Sequence, residues 1–102
     1  MEQPKPGSFS TEGGAAAMSM VEIIALARRA LTAMNGSPID AVAQCEGEDD
    51  GSWRVVIDVV ESPARMGNND LLCAYEIRVS PQGKVAGFQR LGRYHREDGS
   101  VG

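Results

Sequence analysis

The residues of this chain that could carry chemistry are few and sit in its second half. They are the acids Asp58, Glu61, Asp70 and Glu76, the single histidine His95 beside Tyr94, and the arginines Arg90, Arg93 and Arg96. One histidine excludes a metal site of two or more imidazoles within the chain, and a Ser-His-acid arrangement would rest on His95 alone. The acids could pair as proton donor and acceptor, but no spacing singles out two of them, and Arg65, Arg78 and Arg93 offer cationic partners instead. His95 therefore reads as a structural or phosphate-contacting residue, and no catalytic set is assigned.

Metal and cofactor patterns fail in the same way. Cys45 and Cys73 belong to no C-x-x-C or Cys/His cluster, so they read as reduced strand cysteines that pack as small hydrophobes in a cytoplasmic protein. Glu46, Glu48, Asp50 and Gly51 occupy the first, third, fifth and sixth places of an EF-hand-like loop. The twelfth place is Ile57, where a bidentate Glu is needed, so the stretch reads as an acidic hairpin turn. Gly13-Gly14 has no strand before it and no Lys-Ser/Thr after it, as a phosphate loop requires. No cofactor is expected.

The chain has 102 residues, enough for one small domain, and its net charge of −4 argues against a general nucleic-acid binder. Charge is unevenly placed: Glu46, Glu48, Asp49 and Asp50 crowd one stretch, while Lys84, Arg90, Arg93 and Arg96 crowd another. Such asymmetry suits a protein partner better than a membrane. There is no secretory pattern and no run approaching the roughly 20 apolar residues of a membrane span, so a cytoplasmic location is expected.

Residues 1–17 show neither helical nor strand period and read as a flexible arm. Residues 18–98 read as a single α+β domain, and 99–102 as a disordered end. Ser19 and Glu22 match a capping box, which predicts a helix over 20–34 with an apolar stripe of Met20, Ile24, Ala27, Leu31 and Met34, widened by Ile23 and Ala30. Asn35-Gly36 then Pro38 stop it. A weak edge strand follows near 41–46. The clearest strand, 53–61, puts Trp53, Val55, Ile57 and Val59 on one face and Arg54, Val56, Asp58 and Val60 on the other. A third strand over 70–80 repeats the pattern with Leu71, Cys73, Tyr75, Ile77 and Val79.

Unlike charges pair well across strands, which predicts Arg54 opposite Glu76. Ser80-Pro81-Gln82-Gly83 fits a type I turn closed by a glycine bulge, pairing Val79 with Val85. Strict alternation along 84–96 then sends Val85 and Leu91 to the core. It sends Ala86, Phe88, Arg90, Tyr94 and Arg96 to the second face. The expected architecture is one N-terminal amphipathic helix on a four-stranded antiparallel β-meander. Its exposed sheet face, carrying Arg54, Glu76, Phe88, Arg90, Tyr94 and Arg96, is the expected partner-binding surface. A second reading makes the basic fourth strand a regulatory nucleic-acid contact, with Phe88 and Tyr94 as stacking platforms. The segment Val85-Ala86-Gly87-Phe88 does not fulfil the RNP1 pattern, and a meander lacks that module's strand order.

Trp53 with its alternating valines to Glu61, then Arg65, Asp70-Leu71-Leu72, Tyr75-Glu76-Ile77, Gly83, Gly87-Phe88 and Arg90 leading into Arg93-Tyr94-His95-Arg96, form an ordered set over residues 19–97. That set resembles the gas vesicle protein GvpO family. The resemblance implies a non-catalytic accessory protein for making gas vesicles, the gas-filled protein shells that give cells buoyancy. It implies contacts with other gas vesicle proteins, among them the AAA-type ATPase GvpN, and it leaves room for a homodimer and for association with the vesicle. Trp53, Glu61, Arg65, Asp70, Tyr75 and Arg93 are the matched positions to which it lends a structural or partner-binding role.

Overall fold

The computed structural model describes residues 18–98, so the expected arm and C-terminal end lie outside the described residues. Helix α1 spans Met20–Asn35, and strands β1 Ile39–Gly47, β2 Trp53–Ser62, β3 Leu71–Val79 and β4 Val85–His95 follow. A short 3-10 turn, Arg96–Asp98, ends the described residues. The strands lie in sequence order in one antiparallel sheet, the meander that the alternation predicts.

Helix α1 starts where its side chains can cap it. The Ser19 hydroxyl accepts the Glu22 amide while the Glu22 carboxylate accepts the Ser19 amide at 2.8 Å. Met18, just before the cap, and Ile23, in the first turn, line the same cleft with Trp53, which adds a hydrophobic staple to the capping box. Gly36 ends the helix at φ 82, donating to Thr32 O. The buried stripe is Ile23, Ala27 and Leu31. Met20 and Met34 were expected on it, and both belong to the stripe by angle. They stand at the two ends of the helix and are exposed, so Met18 rather than Met20 packs that end.

The core is the layer between α1 and the sheet: Ile23, Ala27 and Leu31 against Val55, Ile57, Val59, Cys73, Tyr75, Ile77 and Val79. The helix packs across β1, β2 and β3 and scarcely reaches β4. Both edge strands are bulged, β1 at Asp40 and Ala43 and β4 at Ala86 and Leu91. Irregular edges of this kind are poor templates for further strand pairing.

Two register expectations need correction. Arg54 stands opposite Arg78, while Glu76 stands opposite Val56. The Arg54–Glu76 ion pair exists but runs diagonally, and Glu76 accepts from both arginines, which removes the penalty for the like charges facing each other. In β4 the hairpin turn pairs Val79 with Val85 as expected. The bulge at Ala86 then inverts the alternation, and the bulge at Leu91 restores it. Phe88 and Arg90, opposite Ile77 and Tyr75, therefore face the helix side, whereas Tyr94, opposite Leu72, keeps the second face. Leu91 has no cross-strand partner, and Leu91 and Val85 are both exposed rather than core.

Candidate functional site

The surface expected as one face is thus two. On the helix side, beyond the reach of α1, Phe88 is half-buried and stacks on Tyr75 with ring centroids 5.4 Å apart. The Tyr75 hydroxyl accepts from the Asn35 side chain at 2.9 Å, which ties this ring to the helix end, and burial raises its pKa. Beside the stack, Glu61 continues the helix-facing row of β2 and meets Arg93 Nε at 2.6 Å and Arg90 Nη2 at 3.6 Å. Arg90 also donates to the buried Cys73 sulfur at 3.2 Å. The result is a shelf of one aromatic pair and two half-exposed arginines that share a single carboxylate.

The second face is organised differently, since its polar groups largely consume one another. The Arg54 guanidinium bonds Glu76 on one side and Gln44 on the other, at 3.1 and 3.2 Å. Gln44 and Glu76 both stand opposite Val56, so that guanidinium lies over Val56. Burial pushes the Glu76 carboxyl up, but the Arg78 and Arg54 hydrogen bonds together outweigh it and the net pKa is lowered. Tyr94, which stands opposite Leu72, sends its hydroxyl to Asp58 Oδ2 at 2.6 Å, and Asp58 stands opposite Ala74. Burial first, and then the Asp58 carboxylate, push this phenol up to about 12.

Arg96 gathers the far ends of the chain. It bonds Asp40 through two nitrogens, at 3.2 and 2.8 Å, and Asp70 at 2.9 Å. Asp70 also accepts the Ala64 amide at 2.7 Å, which closes the loop between β2 and β3. That amide and Arg96 hold its pKa below the usual carboxylate range. Trp53 faces the helix and lies against Gly47, where an added Cβ would stand 3.7 Å from the ring. Arg65 is exposed on the loop, with no ion pair among the described residues. His95 is exposed on the helix side, opposite Leu71.

The β4 arginines therefore meet carboxylates of the same chain and do not form an uncompensated stripe of the sort that tracks phosphates. Among the described residues no three His, Cys, Asp or Glu side chains come together as a metal site, and Asp50 instead caps the acidic turn by accepting the Ser52 amide at 2.9 Å. No helix of the described residues is long and apolar enough to cross a membrane. Sequence reasoning missed Asp40 as the anchor for Arg96, because nothing in the weakly alternating first strand marks it.

The family model for gas vesicle synthesis protein GvpO matches residues 8–100 of this chain. The chain belongs to the GvpO family. Gas vesicle protein O1 of Halobacterium salinarum is 35% identical over 72 residues, covering 71% of this chain and 60% of the relative. Gas vesicle protein O of Haloferax mediterranei is 31% identical over 72 residues, covering 71% and 51%. Gas vesicle protein O of a Streptomyces species is 29% identical over 66 residues, covering 65% and 51%. The chain thus spans between half and three fifths of the length of these curated GvpO relatives. No solved structure matches it.

Proposed function

We propose that this GvpO-family chain is a non-enzymatic accessory factor of gas vesicle assembly that works in the cytoplasm, at or near the growing vesicle. Its contact surface on this reading is the helix-side shelf of β4. The observation that carries the reading is the position of Phe88, Arg90 and Arg93 on the β4 part of the helix side, which α1 does not cover. An aromatic stack flanked by arginines that are less than fully neutralised is the composition of interface centres. The groups that are already engaged, Arg54 with Glu76, Tyr94 with Asp58 and Arg96 with Asp40 and Asp70, serve rigidity instead. The partner is another gas vesicle protein, with the AAA-type ATPase GvpN the first to test and a second copy of this chain the next.

The experiment is complementation of a host lacking its own copy, with vesicles scored by buoyancy and light scattering. Arg90→Glu/Arg93→Glu should abolish or severely reduce vesicles while circular dichroism shows a folded protein. Gln89→Ser, on the opposite face, should leave them normal. Normal vesicles from the folded double variant would remove the shelf from consideration.

A further inference from the structure

Arg54, Arg78, Arg90, Arg93 and Arg96 all meet a carboxylate within the chain. Among the described residues Arg28 and Arg29 do not. They are adjacent on the exposed side of α1, and neither side chain has a hydrogen bond or ion pair among the described residues. With Thr32, Ala33 and Ile39 they line an open cleft of about 410 Å³ where the helix gives way to β1. Arg28 and Thr32, like Arg29 and Ala33, are four residues apart, so the cleft runs along the helix axis.

The carboxylates nearest in sequence are already engaged. Glu22 caps its own helix, and Asp40, next to Ile39, is held through both oxygens by Arg96. Although acids outnumber bases 14 to 10 in the whole chain, none of those among the described residues is set against this pair. The floor is the apolar surface of Ala33, Ile39 and the Thr32 methyl, with no aromatic ring on which a base could stack.

We infer that this cleft binds an acidic segment of another protein, with one large apolar side chain seated on Ala33 and Ile39 and carboxylates on either side paired to Arg28 and Arg29. The guanidinium fork suits a carboxylate in two-pronged geometry. The cleft lies on the β1 flank of α1, away from the β4 shelf, so it stands or falls separately from the shelf.

The test uses the full chain and two labelled peptides of equal length, one alternating Glu with Leu and the other Lys with Leu, read by fluorescence anisotropy. The acidic peptide should bind and the basic one should not. Arg28→Glu/Arg29→Glu should weaken the acidic peptide at least tenfold with the circular dichroism unchanged. Equal binding of the two peptides, binding unaffected by the double variant, or no binding by the native chain overturns the inference. A benzophenone side chain placed at Ala33 in vesicle-forming cells supplies a second reading. Its adduct should map to a large apolar residue flanked by carboxylates in a different protein. An adduct confined to nucleic acid or to a second copy of the chain overturns it.

Discussion

Tyr94 shows how one hydroxyl is made to serve the whole second face. Its partner Asp58 is only 8% exposed, so the carboxylate depends on that donor. Tyr94→Phe should therefore cost about 1–3 kcal/mol in denaturant unfolding, the range for stranding a buried charged acceptor. The phenol titrates at about 12 in the folded chain against its ordinary 10, so the neutral form is favoured by folding. The stabilisation is whole below pH 10 and is lost as pH rises toward 12, and the gap between the native chain and Tyr94→Phe should close over that window. Glu76 behaves in the opposite sense. Its lowered pKa means that its contribution is present above its ordinary 4.5 and is lost as pH falls through the folded value. The advantage of the native chain over Glu76→Gln, followed in urea from pH 7 to pH 3, should shrink on the acid side; a gap independent of pH would contradict the assignment of the two arginine bonds.

At the scale of elements, two glycines separate backbone strain from packing. Gly36 and Gly83 both have φ 82, but a Cβ on Gly36 meets nothing within 4 Å, whereas one on Gly83 would stand 2.5 Å from Met18 Sδ. Gly36→Ala should cost about 1 kcal/mol for the left-handed backbone alone. Gly83→Ala should cost more, and pairing it with Met18→Ala should recover the excess in a double-mutant cycle of thermal melts. The elements themselves were legible: the Ser19 cap, the period of the helix, the alternation of β2 and β3 and the Ser80–Gly83 turn each reflect a local rule that packing left intact. What was not legible was the phase of β4. A bulge adds a residue without a compositional mark, and Ala86 and Leu91 are ordinary strand residues, so Phe88 and Arg90 could not be placed on their true side by counting. The Arg54 register failed for a related reason, because an arginine is long enough to reach its carboxylate diagonally.

For the molecule as a whole, the decisive contact is Arg96, which joins Asp40 at the start of β1 to Asp70 before β3. Arg96→Ala should raise amide exchange around residues 39–42, distant in sequence, and lower the melting temperature. Lysine at this position should recover only part of the effect, since it cannot bond both oxygens of Asp40 from a fixed fork. Exchange changes confined to the residues beside position 96 would show that the two edges are not coupled. This link also explains why the candidate site read as a single surface in sequence. Arg93, Tyr94 and Arg96 are neighbours along the chain, yet the first serves the shelf and the other two serve the structural network.

The same link orders events during synthesis. Helix α1 leaves the ribosome first, but its stripe of Ile23, Ala27 and Leu31 can be covered only by strands translated later, and Asp40 waits for a residue 56 positions downstream. The fold can be completed only once Arg96 has emerged. Until β3 is made the nascent protein carries an uncovered apolar helix, and a stop introduced between β3 and Arg96 should leave a product whose helix is covered but whose β1 is not tied down.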